Sequence, residues 1–85
     1  AAAGLVELKA PMVGTFYSRP NPEEPLFVTP GAHVSEGDSV CMIEAMKMFN
    51  TLKAPVSGKV VSVNVQNEEA VGYGDVLMVF EPDAS

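Results

Sequence analysis

The sequence predicts an all-β fold: a flattened antiparallel barrel or sandwich built from two pseudo-twofold-related halves, with one protruding loop. Three observations carry this expectation. The chain repeats itself once, its apolar residues alternate with a period of two, and no segment shows the spacing of an amphipathic helix. At 85 residues the chain has room for one core and not two.

The repeat has two blocks. Leu8-Lys9-Ala10-Pro11-Met12-Val13-Gly14 recurs 44 positions on as Leu52-Lys53-Ala54-Pro55-Val56-Ser57-Gly58. The stretch from Val34 to Glu44 recurs 37 positions on, from Val71 to Glu81, sharing the valine, the Gly-Asp pair and the final glutamate. The offsets differ by 7, so the first half carries about seven extra residues between Phe16 and Val34. Half a domain of this size cannot cover its own apolar face, so the two halves are expected to pack on each other.

Each element follows in order. Val6, Leu8 and Ala10 alternate with Glu7 and Lys9, the pattern of a half-buried strand. The next segment, residues 17–31, holds four of the seven prolines. Proline cannot donate to a strand ladder, so this insertion is expected to project as a stiffened loop or short hairpin. Residues 40–43 and 76–80 are continuously apolar and each follows a Gly-Asp turn, which suits strands crossing a core. Between the halves, Ala45-Met46-Lys47-Met48 must form a tight hairpin with Lys47 at its tip. Val61, Val63 and Val65 alternate with Ser62 and Asn64, giving a strand with those valines on one face. Gly14, Gly37, Gly58 and Gly74 are read as turn positions and His33 as a turn residue. Cys41 matches Met78 in the repeat and is read as core, not as a nucleophile. The domain is expected over residues 5–82, with 1–4 the remnant of a small-residue linker and 83–85 a tail.

Composition excludes several function classes. A net charge of −6 with five basic residues lacks the positive patch that phosphate backbones require, so nucleic acid is not an expected partner. No apolar run approaches the roughly 18 residues of a membrane-spanning helix, and no secretory signal opens the chain, so no membrane partner is expected. A single cysteine forbids an internal disulfide and points to an intracellular setting. One histidine and no cluster of metal-ligand spacing argue against a metal enzyme. No nucleophile and base pair is visible, so no catalytic residue is assigned.

The hairpin carries the chemistry. A lysine on a turn is ordinarily a solvated charge, but two methionines flanking it forgo the roughly 1.5–3 kcal/mol that burial gives each such side chain. Flexible, polarizable methionines suit a surface that several partners must dock against in turn. Glu44-Ala45-Met46-Lys47-Met48, set between Ala10-Pro11-Met12-Val13-Gly14-Thr15-Phe16 and Ala54-Pro55-Val56-Ser57-Gly58, resembles the attachment motif of biotin carboxyl carrier proteins. The resemblance covers residues 6–81. It implies that Lys47 bears covalent biotin, with Ala45, Met46 and Met48 completing the motif and Glu44 either helping ligase recognition or ending a strand, as its repeat partner Glu81 does. The proline-rich insertion resembles the thumb of acetyl-CoA carboxylase carriers, and Ser18, Arg19 and Pro20 are its candidate contacts with biotin.

What the resemblance implies is a carrier with no acid or base of its own. A biotin protein ligase would attach biotin to the lysine amine. A biotin carboxylase would load carboxylate on it, and a carboxyltransferase would pass that carboxylate to acetyl-CoA, giving malonyl-CoA for fatty acid synthesis. The setting would be cytoplasmic, or the plastid stroma in a plant. Two alternatives stay open: the biotinyl domain of another biotin-dependent carboxylase, and a lipoyl carrier. The latter family usually has aspartate before the lysine and alanine after it, where this chain has Met46 and Met48. An unmodified barrel that only binds a partner predicts instead that Lys47 is replaceable.

Overall fold

The computed structural model describes residues 4–21 and 23–83; residues 1–3 of the linker expected at 1–4, Pro22 of the insertion and residues 84–85 of the tail expected at 83–85 lie outside the described residues. Eight strands follow one another: β1 (Val6–Lys9), β2 (Gly14–Tyr17), β3 (His33–Val34), β4 (Ser39–Ala45), β5 (Met48–Lys53), β6 (Gly58–Val63), β7 (Ala70–Val71) and β8 (Val76–Pro82). They form two four-stranded sheets of order β1-β8-β6-β3 and β5-β4-β2-β7, with every pairing antiparallel. The repeat offsets map β1 to β4 onto β5 to β8, and that exchange turns one sheet order into the other. Each sheet thus takes two strands from each half, and the halves interlock. The body measures 40 × 27 × 19 Å, flattened as the sequence predicts.

The core lies between the sheets. Val40, Cys41 and Ile43 of β4 and their repeat partners Leu77, Met78 and Phe80 of β8 are buried, with Phe16 and Val60 between them. Two adjacent buried residues break strict alternation. The cause is a β-bulge: the β4–β5 register shifts between Ser39 and Cys41, and the β1–β8 register shifts at the equivalent place, Leu8 to Lys9. Among the described residues no polar or charged side chain is buried.

The turns repeat as well. The Asp38 carboxylate accepts the Ser35 N–H at 2.9 Å, and Asp75 accepts that of Gly72 at 2.8 Å. The glycine before each aspartate, Gly37 and Gly74, has φ of 93° and 87°, a region open to glycine at little cost. Gly14 and Gly58 differ from expectation. Neither has positive φ; a Cβ at Gly14 would strike the Glu44 carbonyl, and one at Gly58 that of Glu81, so these glycines permit close approach of strands.

Two other expectations need correction. His33 is a strand residue, not a turn residue, and its Nε2 lies 2.9 Å from Asp83 Oδ1 across an exposed surface. The valines of β6 do not share one face. A register shift between Val60 and Ser62 buries Val60, leaves Val61 43% exposed, and returns Val65 to the core.

Tyr17 completes β2, so the insertion begins at Ser18. It forms no strand among the described residues. The Phe27 N–H donates to the Ser18 carbonyl at 2.9 Å, which pinches the loop at its root. Val28 then packs against the core, and Gly31 and Ala32 bond to Val60, so the loop leaves one sheet and returns on the other.

Candidate functional site

Strands β4 and β5 pair through Glu44 with Phe49 and Ala45 with Met48, leaving Met46 and Lys47 as a two-residue loop. Their φ angles are 54° and 67°. Positive φ at both loop residues marks the mirror-image type I′ turn, whose twist matches the right-handed twist of the strands it joins. Met46 and Lys47 adopt it without glycine or asparagine. The Glu44 carboxylate steadies the loop, its Oε2 accepting the Lys47 N–H at 3.0 Å. Glu44 therefore has a structural task at this hairpin that its repeat partner Glu81 does not share.

Lys47 is exposed at the tip, and no carboxylate among the described residues lies within ion-pairing distance of its ammonium. Met46 is 94% exposed and Met48 67%, so both methionines stand in solvent beside it. Val13 adds another exposed apolar side chain at this end, one residue before Gly14, which abuts Glu44. Beneath them, Asn50 Nδ2 reaches Met12 Sδ at 3.4 Å and ties the residue 11–13 turn to β5. The arrangement presents one amine, with apolar flanks, at the end of a stiff hairpin.

A groove of about 240 Å³ opens on the outer face of the same sheet. Tyr17 and Phe49 form its aromatic wall, their ring centroids 5.6 Å apart and tilted by 58°. The thumb supplies Arg19, Pro20 and Asn21, and the turn before β7 supplies Asn67 and Glu68. Arg19 lines the groove, while its Nε is shut off from solvent and has no hydrogen-bond partner among the described residues. Ser18 stands apart, its N–H donating to Asn67 Oδ1 at 2.9 Å and its hydroxyl to the same oxygen at 3.3 Å. The structure thus brings Arg19 and Pro20 to the groove and uses Ser18 to fasten the thumb's root.

Sequence reasoning missed Tyr17, Phe49, Asn67 and Glu68. Phe49 had a signal, since it follows the hairpin and faces outward in alternation with Asn50. The others had none, because β2, β5 and the turn before β7 meet only through sheet pairing. Cys41 offers no competing chemistry: burial pushes its thiol up to about 12, leaving no thiolate at neutral pH. Among the described residues no group of potential metal ligands converges, and no helix is long and apolar enough to cross a membrane.

Comparison with known proteins agrees with this geometry. Residues 6–80 match the biotin/lipoyl family model, described as "Biotin-requiring enzyme". The chain is 49% identical over 79 residues to the biotin carboxyl carrier protein of acetyl-CoA carboxylase from Nostoc, covering 93% of this chain and 43% of that protein. It is 43% identical over 82 residues to the chloroplastic counterpart from Glycine max, covering 96% of this chain and 31% of the relative. It therefore spans less than half the length of either relative. Among solved structures, a single-chain, multi-domain long-chain acyl-CoA carboxylase superposes with a TM-score of 0.83 at 30% identity, over all of this chain and 8% of the other. The Kluyveromyces lactis urea carboxylase gives 0.79, also at 30% identity, over 94% of this chain and 6% of the other. The repeat, the interlocked sheets and the exposed lysine on the joining turn all find their explanation in one conclusion: the chain belongs to the biotin/lipoyl family of biotin-requiring enzymes.

Proposed function

We propose that this chain is the biotin carrier domain of an acetyl-CoA carboxylase, with biotin in amide linkage to Lys47. The observation that carries the reading is the hairpin tip: an exposed amine between two exposed methionines, fixed by a type I′ turn. The names of the Nostoc and Glycine max relatives support the acetyl-CoA carboxylase assignment.

The residues fit the group. An amine must be deprotonated and oriented to attack an activated acyl group, and the turn gives Lys47 reach with a fixed direction. The groove's aromatic wall, with Arg19 among its lining residues, suits a compact ring system bearing a hydrogen-bonding carbonyl. Arg19 and Pro20 are the proposed thumb contacts; Ser18 supports them from the root. Once bound, biotin supplies a ureido nitrogen that accepts and releases carboxylate. The chain itself contributes no proton transfer: tethering makes delivery effectively intramolecular. Its partners in this reading are a biotin protein ligase, a biotin carboxylase and a carboxyltransferase, in the cytoplasm or plastid stroma.

The two structural neighbours, a long-chain acyl-CoA carboxylase and a urea carboxylase, favour a second reading, the biotinyl domain of a carboxylase with another substrate. Intact mass after incubation with biotin, ATP and a biotin protein ligase tests what both readings share. A gain of one biotinyl group is expected in the parent and none in Lys47→Arg. No gain in a folded parent would overturn both and make lipoylation, measured the same way, the next test.

A further inference from the structure

The chain holds five methionines and one cysteine, and the fold sorts their sulfur atoms sharply by access. Met78 is 1% exposed, and Cys41 is fully buried with its thiol held protonated at neutral pH. Met12 and Met42 are half-buried, and Met12 Sδ also takes a bond from Asn50 Nδ2 at 3.4 Å. Met46 and Met48 stand open on either side of Lys47, 94% and 67% exposed. A thioether reacts only where an oxidant can touch it. The two sulfur atoms most open to attack therefore flank the amine at the tip. Neither side chain belongs to the buried core. The tip is held by its backbone, with the Glu44 carboxylate accepting the Lys47 N–H at 3.0 Å and Ala45 pairing with Met48 across the ladder. A change of chemistry at these methionines leaves the strand register intact and alters what a partner meets.

We infer that Met46 and Met48 form a redox modification site, at which a peroxide converts thioether to sulfoxide and so withholds Lys47 from its ligase. This rests on Lys47 being the biotinylated residue. In the step, a sulfur lone pair attacks one peroxide oxygen. The O–O bond breaks as the S–O bond forms, and the departing hydroxide takes the proton left on the new oxygen and leaves as water. Sulfur gives up two electrons and the peroxide accepts them. Reversal runs through a methionine sulfoxide reductase, whose two thiols supply two electrons and become a disulfide while the oxygen leaves as water. A sulfoxide is polar and chiral where the thioether was apolar and adaptable. A bare lysine stem is short, so a ligase has to close on the methionines to reach the amine. Docking that buries one such side chain weakens by about tenfold when the side chain turns polar.

The test uses the chain before biotin is attached, because biotin carries a thioether of its own. Dilute hydrogen peroxide is applied and removed, and peptide mass spectrometry locates the added oxygen. Met46 and Met48 are expected to oxidise ahead of Met12 and Met42, with Met78 spared while the chain is folded. The kcat/KM of a biotin protein ligase for the oxidised chain is expected to fall about tenfold at unchanged melting temperature. It is expected to return after treatment with methionine sulfoxide reductases for both sulfoxide epimers. In a variant carrying both Met46→Leu and Met48→Leu, peroxide is expected to leave kcat/KM at that variant's own untreated value. Equal kcat/KM for oxidised and untreated parent would overturn the inference. So would a loss that persists in the double variant, a loss explained by a fall in melting temperature, or first oxidation at Met12, Met42 or Met78. An untreated parent that gains no biotin would overturn the carrier reading along with it.

Discussion

Met46 and Lys47 sit in a backbone region that L-residues enter at a cost of roughly 1 kcal/mol each. The turn's own preference is for asparagine and glycine. Met46→Asn is therefore expected to raise the melting temperature by about 4 °C, the shift that goes with roughly 1 kcal/mol in a domain of this size. A lower melting temperature would show that Met46 holds the turn through contacts of its own. That preference also explains what could be read in advance. The hairpin was legible from the repeat, which leaves too few residues for anything else between Glu44 and Leu52. The turn type was not, because the residues that announce it are missing. Cys41 was legible as core through its match with Met78, and its burial has a pH consequence. Its thiol titrates at 9.0 ordinarily and at about 12 when folded. Between those values the unfolded chain has lost a proton that the folded chain keeps, so raising the pH favours unfolding. Relative to Cys41→Val, the parent is expected to lose stability as pH climbs from about 9 toward 12 in urea titrations. A constant difference between the two across that window would contradict the burial.

Among the elements, the second strand of each half, β2 and β6, depends on glycine for room rather than for dihedral freedom. Gly58→Ala would press a methyl group on the Glu81 carbonyl and the Pro82 Cα, both backbone atoms that cannot rotate away. Gly37→Ala meets open space and incurs only the cost of its positive φ. The first is expected to lose about 3 kcal/mol in urea unfolding and the second about 1 kcal/mol. Equal losses would show that the strands separate to admit the methyl group. The sequence distinguishes these glycines poorly. Gly-Asp signals a turn, and the same habit of thought misassigns Gly14 and Gly58, whose requirement comes from a partner strand far along the chain. Bulges were hidden for a related reason: alternation through Val61, Val63 and Val65 was real, but the shift after Val60 turned Val61 outward. Period-two patterns locate strands reliably and faces only where the ladder is regular.

At the scale of the whole molecule, the repeat made the architecture readable: two offsets predicted a pseudo-twofold fold with one insertion. The interlocking was not readable, since the offsets match strands without saying which sheet each joins. The insertion leaves after β2, rejoins before β3, and among the described residues packs on the core through its returning arm at Val28. Removing residues 20–25 is thus expected to leave the fold and biotinylation intact while lowering carboxyl transfer. Unchanged transfer would reduce the thumb to a surface insertion. Which of Ser18, Arg19 and Pro20 reaches the groove was not readable for the reason the groove itself was not: it exists where Tyr17, Phe49 and the turn before β7 are brought together.

The pseudo-twofold arrangement also has a mechanical side. Residues 10–13 carry the chain from Lys9 to Gly14 beside Glu44, so β1 runs toward the hairpin. Its first residue, Val6, pairs with Phe80 near the close of β8, at the opposite pole from Lys47. Those two strand ends are the counterparts of the hairpin under the twofold. The sheets of a body 40 Å in its longest dimension then stand between those strand ends and Lys47. Tilting the domain about the β1–β8 pole moves Lys47 farther than any residue near the pivot, so small rotations at one pole become longer travel at the other without bending any strand.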